Sequence, residues 1–203
     1  MFYDPRTDDH GLPHNPWRAL VTPRPIGWIS SLDANGTANL APYSNFNQVS
    51  GGPPMVMFTS TPRKDSLANI EATGEFAANA ATWDLREAVN TTSATYPAEV
   101  DEFEAAGIAK AACRNIAVPR VAASPIVLEC VVNTILQLEP KSGLPCQTTM
   151  IIGEVVGIHI AEAILTDGLI DSARLRPLAR LGYMDYLAAE DLFEMHRPIL
   201  AGS

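Results

Sequence analysis

Arg63 and Lys64 stand directly before a helix signal, in which Asp65 or Ser66 can cap an apolar-periodic run through Leu67 and Ile70 that closes at Gly74. A helix start presents free N–H groups and a partial positive charge, and two full cations beside it would suit a phosphate. From spacing alone a plain helix start is the simpler reading, because Asp65 itself repels an anion. Upstream, Trp28 and Phe46 supply flat rings, and Ser30, Ser44, Asn45, Asn47, Thr59 and Ser60 lie within one strand's reach of them. An isolated aromatic in a strand packs in the core, but so many hydroxyls and amides exceed what a sealed interior holds without a polar partner. The combination of rings, hydroxyls and amides points to something polar and flat in that space.

Other chemistry finds less support. The sequence has no G-x-S-x-G elbow, no H-E-x-x-H, no G-x-x-x-x-G-K-[ST] and no G-x-G-x-x-G, which removes the commonest hydrolase, zincin and nucleotide-fold readings. His10 and His14 fall in a Pro-rich stretch and His196 precedes Arg197-Pro198, all positions for solvated side chains. His159 follows Gly153 and Gly157 on an alternating run, where small residues leave room for a ligand or another backbone. A packed, hydrogen-bonded histidine is the simpler state there. Glu99, Asp101, Glu102 and Glu104 read as a solvated acidic face, since neighbouring carboxylates on a helix point in different directions.

Composition narrows the class. With 203 residues, 47% of them hydrophobic and 18% charged, the chain can fill one core and is no disordered tail. A formal charge of −9 opposes a nucleic-acid backbone, so no nucleic-acid partner is expected. No apolar run approaches the roughly 18 residues of a membrane span, and Met1 to Arg6 lacks the zones of a secretory signal. No membrane association and a cytoplasmic location are expected. Cys113, Cys130 and Cys146 have neither disulfide parity nor metal-pair spacing and read as reduced, buried thiols, with no metal expected. Residues 1–16, with Pro5, Pro13 and Pro16, read as an extended arm, and 17–203 as a single domain.

The elements that would position these residues are mostly strands. Ile26 to Leu32 and Ala38 to Ser44 flank Asn35-Gly36, whose positive φ values suit a tight hairpin. Met55 to Ser60 and Glu75 to Ala81 are short strand runs on either side of the Asp65 to Thr73 helix, and the pattern turns helical between Trp83 and Ile108. Ile126 to Leu138 alternates, with Glu129 sharing a face with Val127 and Val131, and Thr148 to Ile160 alternates after it. Strands without regular βαβ spacing predict a mainly β fold, an antiparallel barrel with helical insertions. The segment from Asp171 to Phe193 is expected to pack outside the barrel or on a partner subunit.

Several ordered motifs resemble one family. They are Pro23-Arg24-Pro25-Ile26-Gly27-Trp28-Ile29-Ser30-Ser31, Asn39 to Asn47, Pro53-Pro54, Arg63-Lys64-Asp65-Ser66, Gly74-Glu75-Phe76, Asn90 to Ala94, Asp101 to Glu104, Ser124 to Cys130, Ile152 to His159 and Leu178 to Gly182. In type and order they are similar to the flavin reductase-like, FMN-binding split-barrel proteins, over about residues 17 to 198. The resemblance implies a Greek-key type split β-barrel, usually a homodimer, with FMN in an interface cleft and reduction by NADH or NADPH. It implies that Arg63, Lys64, Asp65 and Ser66 hold the FMN phosphate. Ser44, Asn45, Phe46 and Asn47 would line the isoalloxazine ring, Trp28, Ser30, Thr59 and Ser60 would complete the pocket, and His159 and Arg180 match its motifs. No side chain need act as acid or base, because the flavin carries the chemistry. The resemblance departs at Ser66, where threonine is frequent, and at Tyr183, where a second glycine is common and a bulky ring could narrow the substrate side. The reductase reading, with a monooxygenase component as acceptor, stands against two alternatives: an FMN electron-transfer or flavin-binding protein without nicotinamide oxidation, and a barrel that has lost the flavin and binds haem or another flat ligand or acts as a scaffold.

Overall fold

A computed structural model describes residues 1–7 and 10–198. Asp8 and Asp9 of the expected arm, and 199–203 of the expected domain, lie outside the described residues. In chain order the strands are β1 (Arg24–Pro25), β2 (Gly27–Leu32), β3 (Ala38–Tyr43), β4 (Phe46–Gly51), β5 (Pro54–Ser60), β6 (Glu75–Ala80), β7 (Lys110–Ala111), β8 (Arg120–Val121), β9 (Ile126–Gln137), β10 (Thr149–Ile160), β11 (Leu165–Thr166), β12 (Leu169–Ile170), β13 (Leu178–Gly182) and β14 (Asp185–Ala188). The helices are α1 (Trp17–Leu20), α2 (Asp65–Thr73), α3 (Arg86–Thr91), α4 (Glu102–Ala105) and α5 (Ser172–Leu175).

Seven strands form one antiparallel sheet in the order β3-β2-β6-β9-β10-β5-β4. The sheet curls so that its two ends meet: Ile29 and Tyr43 from one end and Val56 and Phe58 from the other share a single buried cluster with Phe76, Cys130 and Ile151. That is the interior of a split barrel. Leu67 and Ile70 of α2 plug it, with Gly74 ending the helix at φ +74° and returning its N–H to the Ile70 carbonyl. A second cluster, Ile26, Trp28, Leu40, Val89, Phe103 and Leu178, binds α3, α4 and β13 to the barrel's outer side.

Local sequence accounts for most of these elements. In the predicted hairpin, Gly36 takes φ +88° and Asp33 exchanges bonds across the turn, its N–H to the Thr37 carbonyl at 2.9 Å. The two long strands appear where alternation places them, broken by bulges between Ile152 and Gly153 and between Val155 and Gly157. β4 has no such pattern, since Phe46-Asn47-Gln48-Val49-Ser50-Gly51 is a mostly exposed edge strand. Its ring finds a place because Gly27 opposite has no side chain: a Cβ there would lie 2.5 Å from Phe46 Cδ2. The helical stretch between Trp83 and Ile108 is discontinuous, a 3₁₀ turn and α3 followed by coil and the one-turn α4. Beyond α5, β13 pairs with both β1 and β14 as a small sheet outside the barrel.

The cysteines form no disulfide, and only Cys130 is fully buried; Cys113 and Cys146 are half-buried. Among the described residues no helix is long and apolar enough to cross a membrane.

Candidate functional site

The N-terminus of α2, the β3 edge and the loop after α3 enclose a cleft of about 390 Å³. Arg63, Lys64, Asp65 and Ser66 form one wall and Thr92 to Tyr96 the other, with Tyr43 and Asn39 from β3 between them. A second hollow of about 570 Å³ adjoins it along Pro42 and Ser93, and is bounded by Ser44, Arg180, Met184 and Tyr186. The two together run from the cationic helix start to the small outer sheet.

The helix start combines free backbone donors with a cation. No side chain caps α2, so the N–H groups of its first turn have no side-chain acceptor. The Lys64 ammonium stands 6.0 Å from the Tyr43 ring centre and makes no salt bridge among the described residues. Arg63 is already engaged: its guanidinium contacts the Glu71 carboxylate two turns along the helix. The Ser66 hydroxyl is buried and donates to Asn39 Oδ1 at 2.6 Å, while Asn39 Nδ2 donates to Glu102 Oε1 at 2.7 Å. Ser66 therefore offers an anion its backbone N–H and not its hydroxyl proton.

Two residues of this cleft escaped the sequence reading. Tyr43 is 6% exposed and its hydroxyl has no hydrogen-bond partner among the described residues; the neighbouring Ser60 and Ser66 donate to Pro62 O and Asn39 Oδ1. Burial pushes this phenol's pKa up, so it stays a donor. A buried donor without an acceptor costs about 1–3 kcal/mol, and an anion in the cleft would supply the acceptor. Glu102 is the second. The sequence placed it on a solvated acidic face, but it is 6% exposed and accepts the Leu40 N–H at 3.0 Å, covering the free edge of β3. Burial raises its pKa against the opposing hydrogen bonds from Leu40 and Asn39. Asp101 beside it is the N-cap of α4, accepting the Phe103 N–H at 2.9 Å.

The remaining candidates other than His159 separate into three groups. Ser44 and Arg180 line the second hollow; the Arg180 guanidinium lies 4.4 Å from the Tyr186 ring centre and donates to the Tyr183 carbonyl. Tyr183 takes φ +46°, a conformation glycine holds more cheaply, and its ring is half-exposed. Asn45, Phe46, Asn47 and Thr59 cluster at the β4–β5 edge, with Asn45 Nδ2 donating to Thr59 Oγ1 at 3.1 Å. Trp28, Ser30 and Ser60 are fully buried and line neither hollow. Trp28 donates to Thr92 Oγ1 at 2.8 Å, bracing the cleft loop from behind, and the two serines donate to the carbonyls of Pro119 and Pro62. The expectation that these hydroxyls need a ligand is thereby corrected, since backbone carbonyls satisfy them.

His159 lies elsewhere, in a third cleft with Arg114, Arg120 and Glu129. The space beside Gly153 and Gly157 is not free: a Cβ at Gly153 would sit 2.5 Å from the Phe76 ring, and one at Gly157 2.9 Å from the Glu129 carboxylate. His159 is packed and bonded to Glu129, as its simpler reading had it, and within one chain it does not face the α2 cleft.

Residues 18–178 match the flavin reductase like domain family. The chain is 33% identical to an uncharacterized protein of Halalkalibacterium halodurans over 187 residues, covering 89% of this chain and 88% of that protein. It is similar to the crystal structure of nitrilotriacetate monooxygenase component B from Bacillus cereus, with a TM-score of 0.88, 29% identity and coverage of 96% and 98% of the two chains. A split barrel domain structure from Shewanella frigidimarina superposes with a TM-score of 0.80 at 24% identity, over 97% and 94% of the chains, and supports the fold alone.

Proposed function

Because this chain belongs to the flavin reductase-like domain family, we propose that its paired clefts hold FMN and that it is an NAD(P)H-dependent flavin reductase. The observation that carries the reading is the partnerless, buried Tyr43 hydroxyl on the wall of a cleft whose rim holds Lys64 and an uncapped helix start. A phosphate carries about −1.5 to −2 charge near neutral pH, which accounts for cations gathered here in a chain of net −9. Lys64 and the first N–H groups of α2 would hold the phosphate, Arg63 would join them by exchanging its contact with Glu71, and Asn39, itself held by Glu102, keeps Ser66 in place. Ser44 and Arg180 mark the end that receives the ring system, with the β4–β5 edge at Asn45 to Asn47 and Thr59 beside it. Bound FMN would supply the redox chemistry, taking a hydride from NADH or NADPH and passing electrons onward.

The protein's part is geometric. The cleft must orient two flat rings in contact and exclude water, which needs no acid or base and no dinucleotide fold. Trp28 fixes the loop at Thr92, and the cation–ring contact of Arg180 with Tyr186 sets the outer boundary. A homodimer, a monooxygenase component as electron acceptor and a cytoplasmic setting complete the proposal. Loss of NADH or NADPH absorbance with FMN-reconstituted protein tests it. Turnover above that of free flavin with one of the two is expected. A protein that binds FMN but shows no such turnover with either nucleotide is an electron-transfer or flavin-binding module instead.

A further inference from the structure

Away from this cleft, on the outer face of the barrel, three side chains of different chemistry converge. Cys113 Sγ, a Glu129 carboxylate oxygen and a His159 ring nitrogen all lie within 4.8 Å of one another. Cys113 comes from the loop between β7 and β8, Glu129 from β9 and His159 from β10, so the site joins three separate parts of the chain. We propose that these residues form a zinc-class metal site.

The loop is held as a ligand arm requires. Ile116 and Val118 bury against Ala77 and Val127, the Asn115 amide donates to the Val156 carbonyl at 2.6 Å, and the Ala117 N–H donates to Glu75 Oε2 at 2.8 Å. Glu129 is fully buried, yet no lysine or arginine pairs with it among the described residues. It accepts the backbone N–H groups of Arg114 and Asn115 at 2.8 and 2.7 Å and meets His159 Nε2 at 2.5 Å. These donors orient the carboxylate as outer-shell partners orient a metal ligand. Gly157 makes the space that the carboxylate fills.

Thiolate, imidazole and carboxylate form a borderline-soft set that suits Zn²⁺, which takes its ligands at roughly 2.0–2.3 Å in tetrahedral array. Such an array sets ligand atoms about 3.3–3.8 Å apart, so binding opens the close contact of His159 with Glu129. Cys113 releases its thiol proton to solvent, and His159 binds through Nε2 with its remaining proton on Nδ1. Because Glu129 and His159 both line a cleft of about 570 Å³ with Arg114 and Arg120, the fourth position is open to water or a small anion.

The test is titration of chelator-stripped, full-length protein with zinc chloride, followed by competition with a chromophoric chelator and by cobalt(II) spectroscopy. One tight equivalent per chain is expected, with a thiolate-to-cobalt charge-transfer band and the intense visible bands of a tetrahedral ion. Cys113→Ser should abolish that band and weaken zinc at least as much as the roughly 10–100-fold caused by loss of an outer-shell partner. Cys146→Ser, which alters a thiol in another cleft, should leave both unchanged. If Cys113→Ser fails to fold, the unmodified protein and Cys146→Ser decide. No stoichiometric zinc, a cobalt spectrum without thiolate character, or a band lost with Cys146 and not with Cys113 overturns the proposal.

Discussion

Replacing Tyr43 by phenylalanine should stabilise the protein without ligand and weaken its binding of FMN, two effects of opposite sign from one oxygen atom. The hydroxyl is buried without a partner while the ring packs 4.8 Å from Phe58, so Tyr43→Phe keeps the packing and removes only the unsatisfied group. Leaving such a group dry costs about 1–3 kcal/mol. At about 2–4 °C per kcal/mol for a chain of this size, the ligand-free melting temperature should rise by several degrees. If a phosphate oxygen of FMN accepts the hydroxyl, the same change removes a hydrogen bond to a charged group worth about 1.5–3 kcal/mol, which weakens FMN by roughly 10- to 150-fold. Thermal unfolding of the ligand-free protein and quenching of flavin fluorescence give the two numbers. A variant that melts lower and binds FMN as the parent does would show that the hydroxyl is satisfied internally and that the ligand contacts lie elsewhere.

Three further outcomes test the surrounding geometry. Lys64→Ala should weaken FMN by tenfold or more, whereas Glu71→Gln should tighten it several-fold by releasing Arg63, and both effects should shrink at high salt; fluorescence titrations at two ionic strengths decide. Glu102 has its folded-state pKa raised by burial, so its contribution to stability is complete below the ordinary value of 4.5 and is lost as pH rises through the raised value; urea unfolding should therefore show parent stability falling relative to Glu102→Gln as pH rises above 4.5. Gly27→Ala drives a methyl group to 2.5 Å from the Phe46 ring and should cost about 1–3 kcal/mol in urea unfolding, the usual range for overpacking.

The parts of this fold that were legible in the sequence are those in which side-chain pattern and backbone geometry agree. Asn35-Gly36 demands a hairpin, and the alternation from Ile126 and from Thr148 demands long strands whose two faces differ. β4 was not legible because an edge strand buries almost nothing and its partner signal is the missing side chain of Gly27, 19 residues earlier. At the site, the helix start at Arg63 to Ser66 was readable from local chemistry, but burial of individual hydroxyls was not. Ser30 and Ser60 look like pocket linings by type and are satisfied by the carbonyls of Pro119 and Pro62, contacts that depend on distant loops in one case and a neighbouring turn in the other. Glu102 was hidden among four acidic residues, since only the tertiary fold brings the β3 edge and Asn39 to it. Tyr43 was hidden for the converse reason: a lack of partner becomes visible only when every neighbour's bond is known.

The most direct test of the central claim is a crystal structure of the protein with FMN bound. The phosphate is expected against the first turn of α2, within hydrogen-bond reach of Lys64 and the Tyr43 hydroxyl, with the ring system extending past Pro42 and Ser93 toward Ser44 and Arg180. Flavin bound anywhere else, or a crystal that excludes it while Tyr43 stays without a partner, would contradict the account.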